Sequence, residues 1–166
     1  LLNGYGISEC SPLVSVNPIY FNDSATVGFP LECVEINIAD KDEDGIGEIC
    51  VKGDIVMMGY YKQPEITKEV LSEDGWFKTG DFGMMNEYGQ LIITGRKKNL
   101  IILSNGKNVY PEEIENALVS TPGIQDIIVY EGQSKRGISH NAIVAEIYPD
   151  KDFLRQNGIE TENAPE

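Results

Sequence analysis

The sequence is short of cations: 13 lysines and arginines stand against 27 aspartates and glutamates in 166 residues, a formal net charge of −14. Such a chain repels nucleic acid and anionic membrane surfaces, which argues against a nucleic-acid-binding protein. It also needs local cations or a metal wherever it is to hold a polyphosphate. Cysteine is sparse: Cys10, Cys33 and Cys50 lie far apart and form no CxxC pair. Neither a disulfide framework nor a zinc site is indicated, and all three read as buried free thiols of an intracellular protein. No apolar run approaches the about 20 residues that span a bilayer. Initiator methionine and signal peptide are missing too, so Leu1-Leu2-Asn3-Gly4 reads as a start inside a longer chain.

What is present fits one ordinary domain or two small ones, with 41% apolar residues to build a core. Val34, Ile36 and Ile38 alternate with Glu35 and Asn37, and Ile49 and Val51 with Cys50 and Lys52. This period of two marks half-buried strands, joined by a hairpin loop at Asp40-Lys41-Asp42-Glu43-Asp44-Gly45. Pro64 opens a short helix to about Leu71, Asp74-Gly75 is a turn, and Gln90 to Thr94 is a further strand. Beyond the cations at Arg96-Lys97-Lys98, the spacing predicts a hairpin from Leu100 to Tyr110 around Ser104-Asn105-Gly106-Lys107. A helix then starts at Pro111, with Ile114, Ala117 and Leu118 on one face, and strands follow at Ile124 to Tyr130 and Ala142 to Tyr148. Asp152 to Gln156 begins another helix. The fold class is α+β, with a β-rich part at 1–97 and a smaller α+β part at 98–166.

Several local signatures fail on inspection. Asp40-x-Asp42-x-Asp44-Gly45 copies half an EF-hand loop, but Val51 stands at the twelfth position, where a bidentate Glu is needed. Asp81-Phe82-Gly83 spells a kinase magnesium motif without the HRD loop, glycine-rich loop or VAIK lysine that accompany it. Gly4-Tyr5-Gly6 has Glu9 where a dinucleotide fingerprint needs glycine, and Gly106-Lys107 lacks the other P-loop residues. The single histidine, His140, has no hydrolytic partner nearby and reads as structural.

A set of polar motifs in fixed order is more telling. Tyr5-Gly6-Ile7-Ser8-Glu9 offers an aromatic face, a close backbone, a hydroxyl and a carboxylate, suited to a purine, a phosphate and Mg²⁺. Thr79-Gly80-Asp81 reads as a tight turn whose carboxylate can accept two vicinal ribose hydroxyls. Gly95-Arg96-x-Lys98 adds a permanently charged guanidinium. Gly47-Glu48-Ile49, Gly53 and Gly59-Tyr60-Tyr61 lie between them. In this order, and with the stretch from Gly95 to Glu115 as its most specific part, the chain resembles the adenylate-forming superfamily of acyl-CoA synthetases, luciferases and peptide-synthetase adenylation domains. The likeness runs from Tyr5 to about Tyr148 and is greatest to the long-chain fatty acid CoA ligases.

The resemblance implies a distal β-barrel-like subdomain of a large adenylation domain, followed by a small α+β domain truncated before its end. It implies Tyr5 against adenine, Gly6 among the nucleotide-binding residues, Ser8 at the phosphate, Glu9 on Mg²⁺, and Asp81 and Arg96 at the ribose. Ser8 departs from the family's usual threonine and loses the methyl that fixes the rotamer. Lys98 corresponds to the hinge residue and Gly106 to the loop on the coenzyme A side. The implied substrates are a fatty acid or other carboxylate, ATP and CoA, with AMP and pyrophosphate released. The phosphate loop with its lysine and the late catalytic lysine are not found in this sequence, which predicts an inactive fragment of a cytoplasmic enzyme. Peripheral membrane association of the parent is left open, and self-association is expected through surface that the parent would cover. The alternatives are a peptide-synthetase or carrier-protein-loading adenylation domain, a non-catalytic nucleotide-binding module, and an oxygenase of the luciferase kind.

Overall fold

The computed structural model describes residues 2–133 and 141–159; the sequence reading of His140 lies outside them. The chain divides into two compact units, Leu1–Lys98 and Asn99–Glu166.

The first unit is built on antiparallel pairing. Strands β1 (Gly4–Gly6), β2 (Leu13–Val16) and β3 (Phe29–Pro30) form a three-stranded sheet in that order. A four-stranded meander follows: β4 (Val34–Ala39), β5 (Gly47–Gly53), β6 (Phe77–Met85) and β7 (Leu91–Arg96), each hydrogen-bonded to the next. Helix α1 (Pro64–Val70) is inserted between β5 and β6, with proline in its first turn where no N–H is needed. The register sets Ile36 opposite Val51 and Ile38 opposite Ile49, so the alternating apolar residues of β4 and β5 share a face. That face supplies much of a core made by Cys10, Val14, Val34, Ile38, Ile49, Val51, Phe77 and Leu91. Each fully buried aliphatic side chain there contributes roughly 1.5–3 kcal/mol.

Three expectations are corrected in this unit. Thr79-Gly80-Asp81 is not a tight turn but part of the nine-residue strand β6. Gly80 has φ +74, and the ladder shifts register between Glu48 and Cys50 on one side and between Phe82 and Gly83 on the other. A strand broken this way loses its period of two, which made it look like a turn. Second, β5 is not half-buried, because Glu48 and Cys50 are buried as well as Ile49 and Val51. It lies between β4 and β6, and the long side chain of Lys97 reaches the Glu48 carboxylate. Third, all three cysteines are free, but Cys33 is exposed; it lies in the link before β4, outside the core.

A buried polar knot ties the sheets together. Asn17 donates to the carbonyls of Asp23 and Thr26 at 2.9 Å, and its own side-chain oxygen accepts from Thr26 and from the amide of Gln90. These groups are paired, as buried amides must be to avoid a desolvation cost of about 1–3 kcal/mol each.

The second unit opens with the small hairpin β8 (Ile101–Ile102) and β9 (Asn108–Val109), followed by α2 (Pro111–Val119), the antiparallel pair β10 (Ile124–Gln133) and β11 (Asn141–Pro149), and α3 (Lys151–Gln156). Helix α2 packs on β10, where the Glu115 carboxylate accepts the Val129 N–H at 2.7 Å. Ile114 and Leu118 are half-buried, whereas Ala117, expected on the same face, is exposed. Asp150 caps α3 by accepting the N–H groups of Asp152 and Phe153. Among the described residues of this unit, Ile101, Tyr110, Pro111, Ile127 and Val129 are buried.

Candidate functional site

Strand β1 delivers Tyr5 and then breaks at Gly6, where a Cβ would meet the Pro12 carbonyl oxygen at 1.9 Å. Only glycine permits that approach. The chain then turns through a short 3₁₀ helix, Ser8–Cys10, whose exit residue Ser11 is left-handed at φ 53. Ser8 is exposed at the start of this turn and Glu9 is half-buried in it.

Across the unit, 76 positions away, the Tyr5 hydroxyl donates to Asp81 Oδ2 at 2.6 Å. Asp81 is only 4% exposed. Its other oxygen lies 3.1 Å from Arg96 Nε, and Asp81 and Arg96 are direct cross-strand partners on β6 and β7. Thr79 completes the arrangement: its hydroxyl donates to the Ile49 carbonyl at 2.8 Å and accepts the Asp81 N–H at 3.1 Å. Burial, and then the bond to Asp81, push the Tyr5 phenol far above its ordinary range, so it stays protonated and remains a donor. A hydrogen bond from a neutral donor to a buried carboxylate is worth about 1.5–3 kcal/mol. The Arg96 contribution is smaller, because its side chain is 56% exposed and solvent screens the pair. A carboxylate offers about four lone pairs, and Tyr5 and Arg96 engage one each, which leaves acceptor capacity for two further hydroxyls.

Glu9 is held separately. Its Oε1 accepts the Tyr60 hydroxyl at 3.0 Å, and its carbonyl accepts the Met57 N–H at 2.8 Å. Among the described residues no group of three or more His, Cys, Asp or Glu gathers to hold a metal. A lone carboxylate still fits Mg²⁺, which keeps several waters and takes one or two protein carboxylates together with substrate phosphates.

The remaining sequence candidates stand apart from this network. Lys98 is exposed in the 3₁₀ turn Lys97–Asn99 that spans the division between the units. Its neighbour Lys97 pairs with Glu48 at 2.7 Å, and that carboxylate is only 8% exposed. Gly106 sits at φ +82 in the exposed turn between β8 and β9, with no atom within 4 Å of a would-be Cβ. The structure thus joins Tyr5, Asp81 and Arg96 directly. Gly6, Ser8 and Glu9 follow Tyr5 on the adjoining turn. Thr79 and Tyr60 were not singled out as site residues from sequence; Thr79 sits two before Asp81, but nothing local ties Tyr60 to Glu9, 51 positions earlier.

Known proteins resemble the chain in sequence and in fold. The family profile described as AMP-binding enzyme matches residues 1–61. A long-chain-fatty-acid–CoA ligase of Escherichia coli O157:H7 is 44% identical over 133 residues, covering 76% of this chain and 23% of that protein. A chloroplastic long-chain-fatty-acid–acyl-carrier-protein ligase of Arabidopsis thaliana is 37% identical over 97% of this chain and 24% of its own. The chain therefore spans about a quarter of the length of the curated relatives it matches. Among solved structures, ATP-bound MatB from Rhodopseudomonas palustris superposes with a TM-score of 0.77 at 33% identity, covering 98% of this chain and 34% of that one. O-succinylbenzoate coenzyme A synthetase from Bacillus subtilis, in complex with AMP, gives 0.76 at 28% identity, covering 93% and 34%.

Proposed function

The chain belongs to the AMP-binding enzyme family of adenylate-forming enzymes, and from that premise we propose that it forms the adenine, ribose and metal side of the nucleotide site in a fatty acyl-CoA ligase. The observation that carries this is the convergence of Tyr5 and Arg96 on the buried Asp81 carboxylate. Its spare lone pairs suit the vicinal ribose hydroxyls, and the Tyr5 ring, half-buried beside it, suits the adenine face. Ser8 and the Gly6 backbone lie next in the chain and suit the α-phosphate. Glu9 would hold Mg²⁺, which neutralises charge developing on the phosphates when bound.

In the reaction, a carboxylate oxygen of the fatty acid attacks the α-phosphorus of ATP and pyrophosphate leaves. The CoA thiolate then attacks the acyl carbonyl and AMP leaves. The first step reacts at the AMP phosphorus and the second expels AMP from the acyl carbonyl, so a ribose fixed by Asp81 and Arg96 would orient the phosphorus for the first attack and the leaving AMP for the second. Lys98 as hinge and Gly106 as the CoA-side loop keep the roles that the family resemblance implies. The 166-residue chain by itself supplies recognition without chemistry, and acyl-CoA formation by the isolated chain would contradict this.

A second reading has a specific support: the acyl-carrier-protein ligase of Arabidopsis matches over nearly the whole chain. The acceptor would then be a carrier-protein thiol. The natural protein that carries this sequence should release pyrophosphate only with a fatty acid present. It should then form thioester with CoA rather than with a carrier protein. Thioester on the carrier protein alone selects the second reading, and pyrophosphate release independent of fatty acid contradicts both.

A further inference from the structure

Glu9 is not left to find its own rotamer. The segment after β5 returns to the Ser8–Cys10 turn and grips it twice: the Met57 N–H donates to the Glu9 carbonyl at 2.8 Å, and the Tyr60 hydroxyl donates to Glu9 Oε1 at 3.0 Å. Tyr60 is itself fixed from behind. Its N–H donates to Thr67 Oγ1 at 2.9 Å, and the Thr67 hydroxyl donates to the Gln63 carbonyl at 2.9 Å on α1. Gly59 makes this possible, since at φ +143 a Cβ would sit 2.8 Å from the Thr67 methyl. A chain of contacts therefore runs from helix α1 through Thr67 and Tyr60 to one oxygen of the Glu9 carboxylate.

Resting on the reading of Glu9 as the metal carboxylate, we infer that Tyr60 is a positioning residue for the metal, held by Thr67, that occupies Oε1 so that Oε2 faces the cation. A phenol on one oxygen leaves the other as a monodentate ligand, the mode Mg²⁺ favours when it retains water and binds substrate phosphates. Groups that orient a metal ligand from behind commonly change metal affinity by an order of magnitude or more when removed. The role differs from that of Tyr5, whose hydroxyl serves the ribose carboxylate.

The test is equilibrium binding of α,β-methylene ATP to the natural protein across a Mg²⁺ titration, with AMP binding in chelator as the metal-free control. Tyr60→Phe should raise the half-saturating Mg²⁺ roughly tenfold and leave AMP affinity unchanged. Thr67→Val should move it the same way by less, and Glu9→Gln by more. An unchanged Mg²⁺ dependence in Tyr60→Phe beside a raised one in Glu9→Gln overturns the positioning role and leaves the metal reading standing. Unchanged dependence in Glu9→Gln removes the metal reading, and this inference with it. Loss of AMP affinity in Tyr60→Phe would mark Tyr60 as a general structural residue, which also overturns the inference.

Discussion

Two kinds of burial separate the two units. In the first, polar groups are taken out of water and paired: Asp81 with Tyr5 and Arg96, Glu48 with Lys97, and Asn17 with Gln90 and Thr26. In the second, the buried residues among those described, Ile101, Tyr110, Pro111, Ile127 and Val129, are apolar or aromatic, while Ile128, Ile147 and Tyr148 on β10 and β11 remain more than half exposed. A carboxylate held by a built network presents its oxygens in fixed directions, and a ligand then binds without first ordering the site. The Gly106 hairpin is an exposed turn around a left-handed glycine, held by local bonds such as that from the Lys107 N–H to Asn105 Oδ1. The pre-paired carboxylates therefore belong to the first unit.

Core substitutions test that contrast most heavily. Ile49→Ala removes a fully buried side chain from the first unit's core and should cost about 2–5 kcal/mol, with loss of AMP binding as the unit loosens. Ile127→Ala should cost a similar amount in the second unit and leave AMP affinity intact. Denaturant unfolding followed by Trp76 fluorescence for the first unit and by amide hydrogen exchange at Val129 for the second, beside AMP titration, separates the two. Next comes Lys97→Ala, which strands the buried Glu48 carboxylate. Because the lysine is half in solvent, the cost should be about 1–3 kcal/mol, below that of a fully buried pair. Lys97→Ala combined with Glu48→Gln should recover much of it.

Tyr5→Phe removes one donor from Asp81 and keeps the ring. AMP affinity should fall about tenfold, the equivalent of about 1.4 kcal/mol, and the melting temperature should drop as the bond's share of about 1.5–3 kcal/mol is lost. The smallest effect is alkaline. Burial pushes the Cys10 thiol up to about 11. A folded-state value raised above the unfolded one contributes stability that is fully present below the unfolded value and lost as pH rises through the folded one. Stability should therefore decline from about pH 9 towards 11, and Cys10→Ala should flatten that decline in urea titrations. Over the same range an alkylating reagent should modify exposed Cys33 before Cys10 or Cys50.

The sequence made some of this fold legible and hid the rest for physical reasons. Alternation in Val34 to Ile38 marked β4, and prolines at first-turn positions marked α1 and α2. Strands β1, β2 and β3, of three, four and two residues, are too short for a period to show. Strand β6 is hidden in the sequence because Gly80 and the register shift against Glu48–Cys50 break its alternation. Within the site, residue types and their order were enough to suggest Tyr5, Glu9, Asp81 and Arg96. Their partners were not, since the Tyr5–Asp81 and Asn17–Gln90 bonds span 76 and 73 positions. Contacts at that separation leave no local pattern.

The most direct measurement is calorimetric titration of the natural protein and its Asp81→Ala variant with AMP and with 2′,3′-dideoxyadenosine monophosphate. A ribose-reading carboxylate predicts that Asp81→Ala weakens AMP by about tenfold to a hundredfold, as loss of charge-assisted hydrogen bonds implies. The dideoxy nucleotide should bind both proteins with the same reduced affinity. Equal affinity of AMP for the two proteins, or a dideoxy nucleotide that still distinguishes them, would contradict the account.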